Sequence, residues 1–375
     1  MLSTLLISLL IVKLFTVSVW GNIVSLLVIQ QIVSGILAWG NKDYLQRELA
    51  TNPDAFGSNF TQLFLERLLL FILIILVVFI FGLIDRSLLF SFILIIFWRF
   101  INQSFDILVI KERRFLTVFF LDCILILLQV GLVFWFKNQG NHSLTMLLLV
   151  FWFPLALKCL LLFYVFRENF KKTHFKKWFM IESFFFAMMT ISGLLHGKID
   201  LLVVSKLLDY KTLGEYQILM SFLWCIQSIS MYISSPFIHN FYRLKEVSQA
   251  NLSKLLKNLG LLIVPIAVVI VMLILSFGFR IKIDASITIA SFLFCMASFI
   301  YLPWIFQLNQ KKLEYRVVLI NIIGSLFLIG LILITNYYLG LSLEKIIWTI
   351  TIHQGLITLM VFFANKTPFY AKQDN

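Results

Sequence analysis

Charge is what this chain has least of: Asp, Glu, Lys and Arg make up 13% of its 375 residues, while 61% are hydrophobic and the mean hydropathy is +0.97. Such a balance excludes a soluble globule of ordinary composition. Cysteine is sparse too. The four, Cys123, Cys159, Cys225 and Cys295, fall inside apolar stretches with no paired spacing, which excludes a disulfide framework and a zinc site. No phosphate-cradling glycine loop, no Gly-x-Ser-x-Gly elbow and no histidine pair at metal spacing is present. The carboxylates within apolar stretches, Asp106, Asp122 and Asp200, are dispersed over three of them without a visible acid/base pair. No metal, no cofactor and no catalysis is therefore expected. A short signal sequence with a cleavage site is absent before the first apolar stretch, so that stretch is expected to be retained.

What charge there is has a pattern. The formal net charge is +13, with 31 Lys and Arg against 18 Asp and Glu. In a soluble protein this would raise the question of nucleic acid. Here the basic residues crowd every second gap between the apolar stretches, which points instead to a lipid bilayer with anionic headgroups and to no nucleic-acid partner. The crowded gaps hold Lys42 and Arg47; Lys111, Arg113 and Arg114; Arg167, Lys171, Lys172, Lys176 and Lys177; Arg243, Lys245, Lys254 and Lys257; Lys311, Lys312 and Arg316; then Lys366 and Lys372. The intervening gaps hold only Arg86, Lys137, Lys206, Lys211, Arg280, Lys282 and Lys345. Because loop Lys/Arg bias sets orientation, the first group is expected on the cytoplasmic side and the second outside.

A bilayer core needs about 20 apolar residues per helix. Twelve stretches meet or approach that length, at about 2–16, 20–40, 63–84, 87–110, 115–136, 143–166, 178–205, 213–240, 258–278, 286–308, 317–339 and 346–364. The expected fold is all-α, a polytopic bundle with both termini cytoplasmic. Its first stretch is short and carries Lys13 near the outer end, so it is either tilted and partly interfacial or the true start lies upstream. The longest basic linker falls after the sixth stretch and divides the chain into a six-helix lobe at 1–166, a linker at 167–177, a second six-helix lobe at 178–364 and a tail at 365–375. The halves look alike: Trp20-Gly21-Asn22 opens the second stretch and Leu213-Gly214-Glu215-Tyr216 the eighth, each after a short outer turn. Outer gaps are all short, which leaves no room for an external catalytic domain.

Polar groups inside spans normally face a bundle interior or a watery cavity. In the fourth, Arg99, Asn102, Gln103 and Asp106 fall at i, i+3, i+4 and i+7 and make one stripe. Arg99 lies about 12 residues from the outer end, roughly 18 Å deep and close to the bilayer middle. Two readings of it stand open: a cationic lumen group for an anionic substrate, or a structural arginine bonded to neighbouring carbonyls or to Asp122. In the seventh, Gly193, His196, Gly197 and Asp200 share a face. They form either a tight helix contact with a satisfied His-Asp pair, or a protonatable pair on a lumen. Lys198 points off that face and snorkels outward, or joins the lumen if the glycines unwind the helix. Lesser polar stripes occur at Gln31, Ser34, Gly35 and Ala38, at Gln227, Ser230 and Ser234, and at Asp122 and Gln129. Lys158 and Glu182 lie toward the cytoplasmic side, and His353-Gln354 in the last span is ambiguous.

The chain resembles the Wzx-type polysaccharide flippases of the multidrug/oligosaccharidyl-lipid/polysaccharide exporter superfamily. The resemblance lies in the opening Leu5 to Ala50, with Gly21, Gly40 and Arg47-Glu48-Leu49-Ala50, and in Ile199-Asp200, Gly214-Glu215-Tyr216 and Ser235-Pro236 before a basic loop. It implies two lobes of six helices around a central cavity, alternating access, and location in a bacterial inner membrane. It implies as substrate an undecaprenyl-diphosphate-linked oligosaccharide (of O-antigen, capsule or exopolysaccharide), and as further partners a polysaccharide polymerase and a chain-length regulator. Substrate contacts would come from Arg99, Asn102, Gln103, Lys198 and Lys13, and coupling or gating from Asp200, His196, Asp106 and Asp122. One departure from the family's pattern is expected at the start, where members usually carry a cytoplasmic leader before the first helix. The rival expectations are a membrane polysaccharide polymerase or sugar acyltransferase, and a multidrug exporter of the same superfamily.

Overall fold

The computed structural model describes residues 2–51, 56–82, 84–140, 143–170, 178–234, 246–311 and 313–366. Among them all regular structure is helical. The helices are α1 (Leu2–Leu14), α2 (Val17–Ala38), α3 (Asn41–Thr51), α4 (Phe56–Ile80), α5 (Arg86–Glu112), α6 (Phe115–Asn138), α7 (Leu144–Phe166), α8 (Phe179–Glu182), α9 (Phe184–Leu207), α10 (Tyr210–Ser234), α11 (Glu246–Leu273), α12 (Ala285–Gln310), α13 (Glu314–Leu339) and α14 (Leu343–Lys366). A 3₁₀ turn, Arg167–Asn169, follows α7, and a π-helical turn, Ile274–Gly278, extends α11.

Among the described residues, eleven helices are long and apolar enough to cross a membrane, at the positions of the second to twelfth expected stretches. This is a multi-pass membrane protein, and its surface says the same. Phe79, Ile80, Leu116, Leu127, Phe277 and Tyr337 are exposed, as side chains in contact with lipid tails would be. The first stretch is short, as its sequence indicates: α1 has 13 residues, about 20 Å at about 1.5 Å each, less than a hydrocarbon core of about 30 Å. A tight turn follows it, where Thr16 caps α2 by accepting a hydrogen bond from the Val19 N–H at 3.2 Å. Ser235-Pro236, Lys171, Lys172, Lys176, Lys177, Arg243, Lys245, Lys312 and Lys372 lie outside the described residues.

The chain divides into two compact units, Leu6–Leu194 and Leu195–Asn375 with Met1–Leu5. In the first, α5 packs along α7 and α2, α6 along α7, and α3 along α4 and α5. In the second, α12 packs along α14, α11 and α10, and α13 along α14. The division between units falls inside α9.

Two local features were not expected. The basic gap at Lys42 and Arg47 is helical: α3 buries Tyr44 and Leu45 and exposes Lys42, Gln46 and Arg47. Its entry depends on Gly40, whose φ of +65° follows the left-handed Trp39, and whose missing Cβ would lie 2.9 Å from the Ala187 nitrogen. The seventh stretch, expected to run through 178–205, is broken at Ser183 into α8 and α9. The buried Glu66 of α4 caps the start of α8: it accepts from the Phe179 N–H at 3.2 Å and the Met180 N–H at 2.9 Å. Trp39 Nε1 donates to the Met180 carbonyl at 3.0 Å, and Tyr44 OH donates to Glu182 at 2.9 Å. Burial and that carboxylate push the Tyr44 phenol's pKa up.

Candidate functional site

Within the Leu6–Leu194 unit, the end of α2, the start of α3, α4, α5 and α9 border a half-open cavity of about 220 Å³, lined by Ala38, Gly40, Asn41, Lys42, Arg67, Gln103, Asp106 and Thr190. Its centrepiece is Arg67, which the span pattern does not single out. The side chain is fully buried, at 0% exposure. Its Nε donates to the Leu37 carbonyl at 2.6 Å and its Nη1 to Ser104 Oγ at 3.1 Å, while the guanidinium stacks 5.0 Å from the centre of the Phe100 ring. Nη2 has no hydrogen-bond partner, and among the described residues no carboxylate lies within ion-pair distance. Adjacent Glu66 is occupied by the α8 amides and by Gln62 Nε2, at 2.9 Å.

The stripe on α5 reaches this cavity with its C-terminal half. Gln103 and Asp106 line it; Gln103 Oε1 is buried without a partner and Asp106 is exposed. Arg99 and Asn102 sit higher on α5, outside the lining. Arg99 is exposed and, among the described residues, makes no hydrogen bond or ion pair. Asp122 is not its partner, because it pairs with Lys158, whose Nζ lies 2.6 Å from Oδ1. That pair explains Lys158: it is buried on α7, 8% exposed, and reaches Asp122 on α6 rather than snorkelling. It borders an apolar groove of about 250 Å³ between α6 and α7, walled by Leu121, Leu125, Pro154 and Leu161. Lys13 is exposed at the end of α1.

The remaining candidates belong to the other unit. Asp200 is buried on α9 and accepts a short hydrogen bond from the hydroxyl of Tyr216 on α10, itself fully buried. The histidine does not pair with it. His196 lies beside His353 of α14, ring centres 5.5 Å apart, and its Nδ1 is buried without a partner. Next to His353, Gln354 donates to the Tyr301 hydroxyl at 3.3 Å. Lys198 is half-buried. An added Cβ at Gly193 or Gly197 would meet nothing within 4 Å, so these glycines do not serve the close helix contact that their spacing allows. By contrast, a Cβ at Gly35 of α2 would collide with Leu194. At the outer turn, Asp209 caps α10 through the N–H groups of Lys211 and Thr212, both at 3.1 Å, and the Thr212 hydroxyl at 2.7 Å. These bonds, the hydroxyl's foremost, hold its carboxyl below the usual range.

Sequence reasoning therefore missed Arg67, Glu66 and the His196–His353 pairing. For Arg67 a signal existed, a charge within an apolar run, but its nearness to the N-terminal end of that run makes such a charge unremarkable.

No protein-family model matches the sequence, and no curated protein matches it. Solved structures match in fold. The lipid II flippase MurJ in an inward closed conformation gives a TM-score of 0.77 at 15% identity, over 98% of this chain and 85% of that one. An inward-facing multidrug resistance transporter of the MATE family, in the MOP superfamily, gives 0.68 at 11% identity, over 97% of this chain and 93% of that one. At such identities the likeness is one of fold, and function must be argued from the residues.

Proposed function

We propose that this protein is a flippase of the MOP superfamily that carries undecaprenyl-diphosphate-linked oligosaccharide units from the cytoplasmic to the outer face of a bacterial inner membrane by alternating access. The observation that carries the reading is the fold shared with a lipid II flippase over 98% of the chain. The chemistry of the residues supports it: a buried guanidinium with no carboxylate at ion-pair distance among the described residues, on one lining with Lys42, suits a cargo whose headgroup is anionic. Arg99 is assigned to attract the diphosphate, with Asn102, Gln103, Lys198 and Lys13 as further contacts. His196, Asp200 and Asp106 are assigned to coupling, and both termini to the cytoplasm from the basic loops. Downstream, a polymerase would consume the flipped unit.

A deletion strain tests the class. Lipid-linked single units should accumulate facing the cytoplasm, protected in intact spheroplasts from an impermeant glycosidase and cleaved after lysis. Accumulation on the outer face would indicate a polymerase instead, and unchanged surface polysaccharide would remove the flippase reading. Arg99→Ala and Arg99→Lys, expressed at matched level, should each lower surface polysaccharide; full output from both would take Arg99 out of the mechanism. The likeness to a multidrug transporter favours one second reading, export of small cations against the carboxylates Asp106 and Asp200. A drug-sensitivity panel on the deletion strain distinguishes it.

A further inference from the structure

We propose that the cavity around Arg67 is a binding site for a glycosyl phosphate, with phosphate oxygens on Arg67 and Lys42 and sugar hydroxyls on Gln103 and Asp106. The assignment rests on the flippase reading for the source of that ligand, a lipid-linked headgroup.

Arg67 carries the argument. Burying a guanidinium is costly unless its charge and its N–H groups are both met. Here the Leu37 carbonyl and Ser104 hydroxyl meet two nitrogens, but neither brings a negative charge, and Nη2 meets nothing. Of the carboxylates on α4 and α5, Glu66 is spent on the amides of α8, Glu112 bonds Asn169 and Arg114, and Asp106 stands exposed on the cavity wall, beyond ion-pair distance of Arg67. An anion entering the cavity would supply both the missing charge and the missing acceptor, and a planar guanidinium suits phosphate oxygens. Lys42, exposed on the same lining, adds a second cation.

An anion alone leaves the site half satisfied. Gln103 Oε1 is a buried acceptor without a donor, and Asp106 adds an exposed carboxylate to the same lining. A ligand that also brings a donor would satisfy Gln103, and as these acceptors share the lining with Arg67, that donor would lie close to the anionic group. A phosphate ester of a sugar has this arrangement. The cavity's 220 Å³ is the space of about seven waters at about 30 Å³ each, room for a phosphoryl group and one sugar ring.

The test uses the full chain in phosphatidylcholine nanodiscs, titrated calorimetrically with N-acetylglucosamine 1-phosphate, inorganic phosphate and N-acetylglucosamine. The sugar phosphate should bind saturably and at least tenfold more tightly than either of its halves. Gln103→Leu should abolish its advantage over inorganic phosphate, and Lys42→Gln should weaken both phosphates by a similar factor. Arg67→Lys should lose at least tenfold; should that variant fail to fold, the exposed Lys42 and the Gln103 variant still decide. Equal binding of sugar phosphate and free sugar, or binding unchanged in both variants, overturns the proposal, since water alone would then fill the cavity. Repeating the titration in phosphatidylglycerol nanodiscs separates the sources: competition by the lipid without any sugar-phosphate preference would make the site one for phospholipid headgroups and overturn the assignment. Failure here and failure of the flippase reading are separable. Cytoplasmic accumulation in the deletion strain without probe binding removes only this site; probe binding with normal surface polysaccharide in the deletion strain removes only the transport role.

Discussion

Glu66 is the residue whose removal should speak most clearly, because one buried carboxylate holds two consecutive amides of another helix. Its Oε1 accepts from Phe179 N–H at 3.2 Å and its Oε2 from Met180 N–H at 2.9 Å, and it is 2% exposed. A hydrogen bond to a charged group contributes about 1.5–3 kcal/mol, equivalent to roughly 10- to 150-fold in a local opening equilibrium. Glu66→Gln keeps the shape but leaves one oxygen, so only one amide can be served. Hydrogen exchange, read residue by residue in detergent, should then accelerate at one of the two amides by about 10- to 100-fold and stay near wild type at the other. Glu66→Ala should release both. The bonds from Trp39 to the Met180 carbonyl and from Tyr44 to Glu182 are independent of Glu66, so α8 should stay docked in the glutamine variant. Exchange at Phe179 and Met180 that is unchanged in Glu66→Ala would refute the reasoning, and with it the account of what caps α8.

Gly193→Ala and Gly197→Ala should each stabilise α9 by about 0.5–1 kcal/mol, since a methyl group meets no neighbour and helical glycine is unfavourable; a fall in thermal midpoint for both would show that the space is not free. Asp122→Asn should lower stability by about 1–2 kcal/mol by leaving the buried Lys158 ammonium uncompensated, a figure reduced from that of a fully buried pair because Asp122 is half exposed, and Lys158→Met should recover most of it in the double variant. A double variant as unstable as Asp122→Asn would contradict this. Asp209→Ala should cost about 1 kcal/mol through the lost cap of α10. Because the folded carboxyl titrates below its unfolded value of about 3.9, that contribution is complete above that pH and is lost as pH falls through the lower folded value. Wild type and variant should therefore converge in denaturation midpoint on acidification, and divergence would contradict the sign.

The spans could be read in advance because a bilayer makes them a matter of contiguous composition. With no water in the hydrocarbon, each crossing segment must bond its backbone internally, so some twenty apolar residues in a row suffice to announce it. The basic loops are equally local. What neighbours do to one another was not so accessible. Arg67 and Arg99 look alike in one dimension, each an arginine within an apolar run, yet one is sealed and the other exposed. The difference arises because the Leu37 carbonyl and the Ser104 hydroxyl, 30 and 37 residues away, converge on Arg67. His196 was placed with Asp200 by its spacing along one helix, whereas packing gave Asp200 to Tyr216 and put His353, from the last helix, beside His196. The capping of α8 likewise depends on a carboxylate more than a hundred positions earlier, at Glu66. Helical periodicity reaches one turn ahead and no further, so the number and placing of the helices was open to it, while the partners of each buried charge emerged only once distant segments had packed.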